Sequence, residues 1–150
     1  MTHREPFVVT PAQHRPFHVV GEAISVLASA EQTGSGEIFF QQGPEGAGPP
    51  PHTHPWDEAY YVLDGQIDVT AGPKQITLSK GEFIYIPAMT LHCFRMKSAQ
   101  ASFLSINNKG GASTFFGDLD REVGGELNIP KLLEVAGRHE VKVPPPPGAP

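Results

Sequence analysis

His52, Thr53, His54, Pro55, Trp56, Asp57 and Glu58 form a run in which two imidazoles and a carboxylate recur at even separations. Side chains of an extended chain alternate between faces, so His52, His54 and Glu58 leave by the same one. Imidazole nitrogens and a carboxylate oxygen are donors that Fe, Mn, Co, Ni, Cu and Zn ions accept. His92, in a second strand-like stretch, is the fourth candidate ligand. Glu58 is followed by Ala59, Tyr60, Tyr61, Val62 and Leu63, none of which carries positive charge. A carboxylate turned into such surroundings is costly unless something positive compensates it, and a divalent metal would. The absence of thiolate from the run argues against a purely structural zinc site.

Strands must position these side chains. Residues 43–51, rich in glycine and proline, form a loop that delivers an extended chain to His52. Residues 59–63 and 66–70 read as a hairpin with Asp64 and Gly65 at its tip, and residues 75–78 follow a second turn at Ala71, Gly72 and Pro73. Further strands are predicted over 83–86, 92–97 and 101–107. Upstream, residues 17–30 predict one or two strands with Ile24, Val26 and Ala28 on one face, and a turn at 33–36 leads into a strand over 37–41. Near the end, Ile129, Leu132, Leu133 and Ala136 fall at helical spacing. Asn128 is the cap, Pro130 sits in the first turn, and Arg138 and His139 lie at the carbonyl end.

The whole reads as an all-β domain: an N-terminal arm over 1–16, a barrel over 17–110, a helical segment over 111–140 and a Pro-rich, extended tail over 141–150. In the arm, Phe7, Val8 and Val9 predict a short edge strand or a contact with a second subunit. The 150 residues suit one core, and 16 glycines and 16 prolines suit many short strands. A net charge of −5 without a basic stripe excludes nucleic acid and anionic membrane as partners. No apolar run reaches bilayer length, the first six residues lack a signal-peptide core, and Cys93 is the single cysteine, so a cytoplasmic location is expected. Cys93 alternates away from His92, and His3, His14, His18 and His139 read as surface or terminal residues.

The chain resembles the cupins, and in particular small single-domain bacterial members of the quercetinase-like group. Gly46, His52, His54, Glu58 and Gly65 match the family's first motif throughout. Gly81, Pro87 and His92 match the second, with Met89 and Met96 standing where glycine and asparagine are usual. The broader likeness runs from Ala23 to Gly137. It implies a jelly-roll β-barrel with a short C-terminal helix, holding one divalent transition metal (Fe, Ni, Mn, Co, Cu or Zn) on His52, His54, Glu58 and His92. Four protein ligands on an octahedral ion leave two positions for chemistry.

Met96 shares a strand face with His92 and Phe94, so the pocket expected from Tyr60, Met89, Phe94 and Met96 is mostly apolar and suits an apolar or aromatic small molecule. The expected activity is that of a dioxygenase on an aromatic or enol-bearing, flavonol-like substrate, with Glu58 assisting deprotonation of a substrate hydroxyl. The alternatives are a non-redox isomerase, cyclase or lyase, and a non-catalytic binding domain. A homodimer is expected, because barrels of this kind pair through their edges.

Overall fold

Alternating burial in short runs, cut by glycine and proline, folds as nine strands: β1 (Phe17–Val19), β2 (Glu22–Ala28), β3 (Glu37–Pro44), β4 (Glu58–Asp64), β5 (Gln66–Ala71), β6 (Lys74–Ser79), β7 (Phe83–Ile86), β8 (His92–Met96) and β9 (Gln100–Asn107). The computed structural model describes residues 4–124 and 127–148. Six strands form one antiparallel sheet in the order β1-β2-β3-β9-β4-β7, and three form another in the order β6-β5-β8. The two sheets do not join into a closed barrel; they face each other in the jelly-roll manner.

Between them lies one core, in which Tyr60, Val62 and Phe103 of the large sheet meet Ile67, Val69, Leu78, Phe94 and Met96 of the small one. Tyr60, Phe94 and Phe103 form a trio of edge-to-face contacts with ring centroids 4.9 to 5.5 Å apart. A second core joins Val19, Ile24 and Phe39 to the helices α2 (Ala112–Glu122) and α3 (Ile129–Arg138). Each fully buried large apolar side chain contributes about 1.5–3 kcal/mol, so these clusters dominate the stability of the fold.

The expected strands are present, but one connection differs. β4 pairs with β7 and β9, while β5 pairs with β6 and β8, so Asp64 and Gly65 carry the chain from one sheet to the other instead of closing a hairpin. Both strands bury one face, and stacking the two faces excludes water from both, whereas a hairpin in one sheet would leave them side by side. The second turn does form a hairpin, with β5 and β6 registered from Gln66↔Ser79 to Ala71↔Lys74.

The helical content is also larger than the periodicity suggested. α1 (Ala30–Thr33) is a single turn inside the region read as strand and turn, capped by Ser29 Oγ accepting from Gln32 N at 3.3 Å. Glu37, with no exposure, accepts N–H groups from Ala30 and from Ser113, so one carboxylate anchors the starts of both α1 and α2. α3 forms as expected, with Asn128 Oδ1 accepting from Lys131 N at 3.0 Å.

The arm and tail depart further. Phe7, Val8 and Val9 lie in no strand, and Val8 is 80% exposed. Val141 is buried and Lys142 forms a two-way backbone bridge with Thr53, so the start of the tail is a strap across the ligand loop. No helix among the described residues is long and apolar enough to cross a membrane.

Gly65 has φ +70°, and a Cβ there would lie 2.3 Å from the Gln100 carbonyl oxygen and 2.4 Å from Ser98 Oγ; Gly46, at φ +87°, has nothing within 4 Å. Gly65→Ala is therefore expected to cost about 3 kcal/mol and Gly46→Ala about 1 kcal/mol, measured by urea denaturation. Equal costs would mean that the close approach at Gly65 carries no weight.

Candidate metal centre

The segment that carries the first two histidines is held from both sides. His52 exchanges two backbone hydrogen bonds of 3.0 Å with His92, and Thr53 exchanges bonds of 2.9 and 3.0 Å with Lys142. His52 and His54 thus point one way from a short extended stretch. The turn after them is pinned by Asp57, whose carboxylate accepts from Ala88 N at 2.8 Å, from Asn108 Nδ2 at 3.1 Å and from the Tyr85 hydroxyl. Glu58 then opens β4, opposite Asn107 of β9 and Ile86 of β7.

Each imidazole is oriented by a backbone carbonyl two residues away. Nδ1 of His52 donates to Pro50 O at 2.9 Å, that of His54 to Trp56 O at 3.0 Å, and that of His92 to Thr90 O at 2.8 Å. A carbonyl oxygen only accepts, so the proton of each neutral ring sits on Nδ1 and the Nε2 lone pair is free. The indole of Trp56 stacks on His54 at 4.2 Å and an interplanar angle of 6°, which fixes that ring further.

The ligand atoms of His52, His54 and His92 all lie within 4.8 Å of one another. Glu58 Oε2 is 3.1 Å from Nε2 of His54 and 3.1 Å from Nε2 of His92. With the proton of each ring on Nδ1, these contacts set lone pairs against a carboxylate. Only extra protons or a shared cation make that arrangement stable, and a divalent metal fits the donor set. Two hydroxyls complete the shell of Glu58: Ser105 Oγ donates to Oε1 at 3.0 Å and the Tyr60 hydroxyl to Oε2 at 3.0 Å.

Electrostatics follow the same pattern. Burial opposes ionisation of Glu58 most strongly, but hydrogen bonds and positive charge from His54 and His92 outweigh it and hold the carboxyl well below its ordinary range. Burial, followed by the like charge of His92, pushes His52 down to about 4. Burial also pulls His92 down, yet the hydrogen bond and charge of Glu58 prevail and raise it. Burial and then Glu58 push the Tyr60 hydroxyl up, so it remains a phenol.

A narrow cavity of about 70 Å³ adjoins the cluster where the two cores meet. His52, Glu58, Tyr60 and Phe94 line it with Phe115 and Phe116 of α2 and with Leu132 of α3. Of the expected pocket residues, Tyr60 and Phe94 are there. Met89 and Met96 are not. Met89 has φ +65°, donates its N–H to His54 O, and turns its side chain outward at 55% exposure. Met96, opposite Ile67, is enclosed in the core between the sheets. His139 pairs with Asp118 at 2.7 Å and His18 is exposed, both away from the centre, and His3 lies outside the described residues.

Sequence reading missed Glu22, Gln41 and Ser105. Gln41 Nε2 donates to Glu22 Oε1 at 2.9 Å, and both residues line the cavity. Parity was the available signal, since Glu22 shares a strand face with Ile24, and Gln41 with Phe39.

Residues 39–107 match the family described as Cupin domain. This segment of the chain is a cupin domain. Among curated proteins, the chain is 25% identical over 112 residues to quercetin 2,3-dioxygenase of Bacillus subtilis (strain 168), covering 73% of this chain and 33% of that one. It thus spans about a third of that relative's length. Among solved structures it is similar to KdgF from Halomonas sp., with 20% identity, a TM-score of 0.65 and coverage of 73% of this chain and 98% of that one. It is also similar to the polyketide cyclase RemF from Streptomyces resistomycificus, with 18% identity, a TM-score of 0.61 and coverage of 69% and 80%. These two likenesses establish the fold. Three histidines grouped in a cupin make this the candidate metal centre of the chain.

As pH falls, protons compete for the imidazoles, and the raised His92 takes one before an ordinary histidine would. Zinc loading is therefore expected to fall with pH through and just above the ordinary histidine range. His92→Ala is expected to lower zinc affinity by about tenfold or more at neutral pH. Equilibrium dialysis measures both; pH-independent loading would contradict the assignment.

Proposed function

We propose that this cupin binds one divalent transition metal through His52, His54, His92 and Glu58, and acts as a dioxygenase on a small aromatic or enol-bearing substrate of the flavonol kind. The reading is carried by one observation: a buried carboxylate contacts two imidazole Nε2 atoms beside a mostly apolar, aromatic-lined cavity. The likeness to quercetin 2,3-dioxygenase supports the substrate class. A bound metal would supply Lewis acidity and, where redox-active, electrons for dioxygen chemistry.

The chain's own residues bind and prepare the substrate. Phe94, Phe115 and Phe116 offer ring edges and faces to an aromatic body. Glu58, kept ionised by its histidine neighbours, is placed to accept the proton of a substrate hydroxyl. Ser105 and Tyr60 orient it by donating to its two oxygens. Leu132, Ala136, Val141 and Val143 close the cavity against water. At about 70 Å³ the cavity admits a single ring with least displacement, and a flavonol requires the wall built by α2 and α3 to shift.

The second reading is a non-redox isomerase, cyclase or lyase. Glu22, a second carboxyl on the same cavity, favours it, because proton transfer between two carboxyl groups and a substrate needs no oxidant. Metal-loaded protein is expected to consume oxygen with a flavonol, and Glu58→Gln to slow this by about a hundredfold or more. Oxygen-electrode traces check it. Equal uptake by metal-free protein would sink the first reading, and turnover under strict anaerobiosis would establish the second.

A homodimer is inferred from the outer face of the large sheet. Ile38, Ile106, Ala59 and Tyr85 are successive cross-strand neighbours, as are Phe40, Leu104, Tyr61 and Phe83. Phe83 and Tyr85 are each 55% exposed on this face. Two adjoining apolar rows on an outer sheet face suit a second copy of the same surface. Tyr61→Glu combined with Phe83→Glu is expected to turn a dimer into a monomer by light scattering; a wild-type monomer would refute the dimer.

A further inference from the structure

β2 brings a second carboxyl to the cavity. Glu22 is 3% exposed and, with Ile24 of its own strand, lines the same space as His52, Glu58 and Tyr60. β2 stands three places from β4 in the large sheet, so the two glutamates reach the cavity from separate strands of one sheet. Gln41 Nε2 donates to Glu22 Oε1. Among the described residues no other hydrogen bond or ion pair reaches this carboxyl, which leaves Oε2 to the cavity.

The groups around Glu22 come from every neighbouring element. Gln41 faces it from β3, Glu58 and Tyr60 from β4, and His52 from the ligand loop. His18 of β1 and Arg95 of β8 lie on its outer side. The Arg95 guanidinium is engaged by the carbonyl oxygens of Pro49 and Phe94, and α2 and α3 present only apolar side chains to the cavity. A carboxyl so placed is more stable as the neutral acid. Burial pushes it up to about 8, with the Gln41 hydrogen bond opposing, the Glu58 charge adding to the rise and the Arg95 charge opposing it.

We propose that Glu22, steadied by Gln41, is a substrate-contacting group: a neutral carboxylic acid whose O–H donates a hydrogen bond to a substrate oxygen remote from the histidine cluster. This rests on reading the cavity as a site for oxygen-bearing aromatic or enol compounds. Tyr60 and Ser105 commit their hydroxyls to Glu58. The phenylalanines and aliphatic side chains of the wall offer no donor, and the Gln41 amide is turned to Glu22. Glu22 is therefore the group that distinguishes a substrate carrying a further oxygen from one without it. A buried donor left unpaired by the wrong ligand is the stronger basis for such discrimination.

The test uses full-length, zinc-loaded protein and two chelating enol-ones, kojic acid, which carries a further hydroxyl, and tropolone, which does not. Glu22→Gln keeps a neutral donor, and Glu22→Leu removes it. Calorimetric titration is expected to show kojic acid bound alike by wild type and Glu22→Gln, and about tenfold more weakly by Glu22→Leu, with tropolone bound alike by all three. Raising the pH from about 7 to about 9 is expected to weaken kojic acid binding to wild type relative to Glu22→Gln. The proposal is overturned if Glu22→Leu binds kojic acid as wild type does, if both probes weaken equally, or if neither probe binds the wild type. Zinc stoichiometry should be the same in all three proteins, and its loss in a variant would place Glu22 among the metal ligands and overturn the proposal. Absence of oxygen uptake with flavonols defeats the dioxygenase reading alone and leaves these binding results to decide Glu22.

Discussion

Three imidazoles donate Nδ1–H to backbone carbonyls, and so three Nε2 lone pairs are turned towards one place that a buried carboxylate also occupies. That arrangement is repulsive without a cation and attractive around one. Its cost is concentrated at Glu58, which is why the surrounding structure gives both oxygens of that residue a hydroxyl donor. The orientation is set by main-chain geometry at Pro50, Trp56 and Thr90, and so it depends on the backbone path of the loops more than on side-chain packing.

Those loops are fixed by elements distant in sequence. His52 is bridged to β8 and Thr53 to the strap at Lys142, so chain segments from both sides of the sheets lock the two-histidine stretch. The core between the sheets supplies Tyr60 and Phe94 to the cavity. The helical core supplies its roof through Leu119, Leu132 and Ala136. The polar centre therefore sits at the seam between two apolar clusters.

Local chemistry was legible in the chain wherever it depended on parity or on a cap. Even spacing put His52 and His54 on one face, whereas a bend at Pro55 and Trp56, which the extended reading of 52–58 did not foresee, brings Glu58 to them; Asn128 with Pro130 marked the start of α3. It was not legible where two surfaces had to choose each other. Asp64 and Gly65 have the composition of a hairpin tip, yet the buried faces of β4 and β5 are stacked across the core instead of lying side by side. Met96 has the parity of a pocket residue, yet the end of β8 on which it sits is packed into the core between the sheets. Val143 looked like the start of an extended tail, and it lines the cavity.

By itself, then, the sequence determined which residues can coordinate, which strands exist, and that a buried carboxylate calls for compensation, because these follow from side-chain chemistry and a two-residue repeat. Only the tertiary structure decided which strands face each other, which methionines are out of reach, and that Glu22 of β2 joins Glu58 of β4 on one cavity. Residues 36 positions apart in the chain line one cavity because β2 and β4 belong to one sheet, with β3 and β9 between them. No local pattern encodes that strand order, since it arises from pairing and packing between segments distant in the chain.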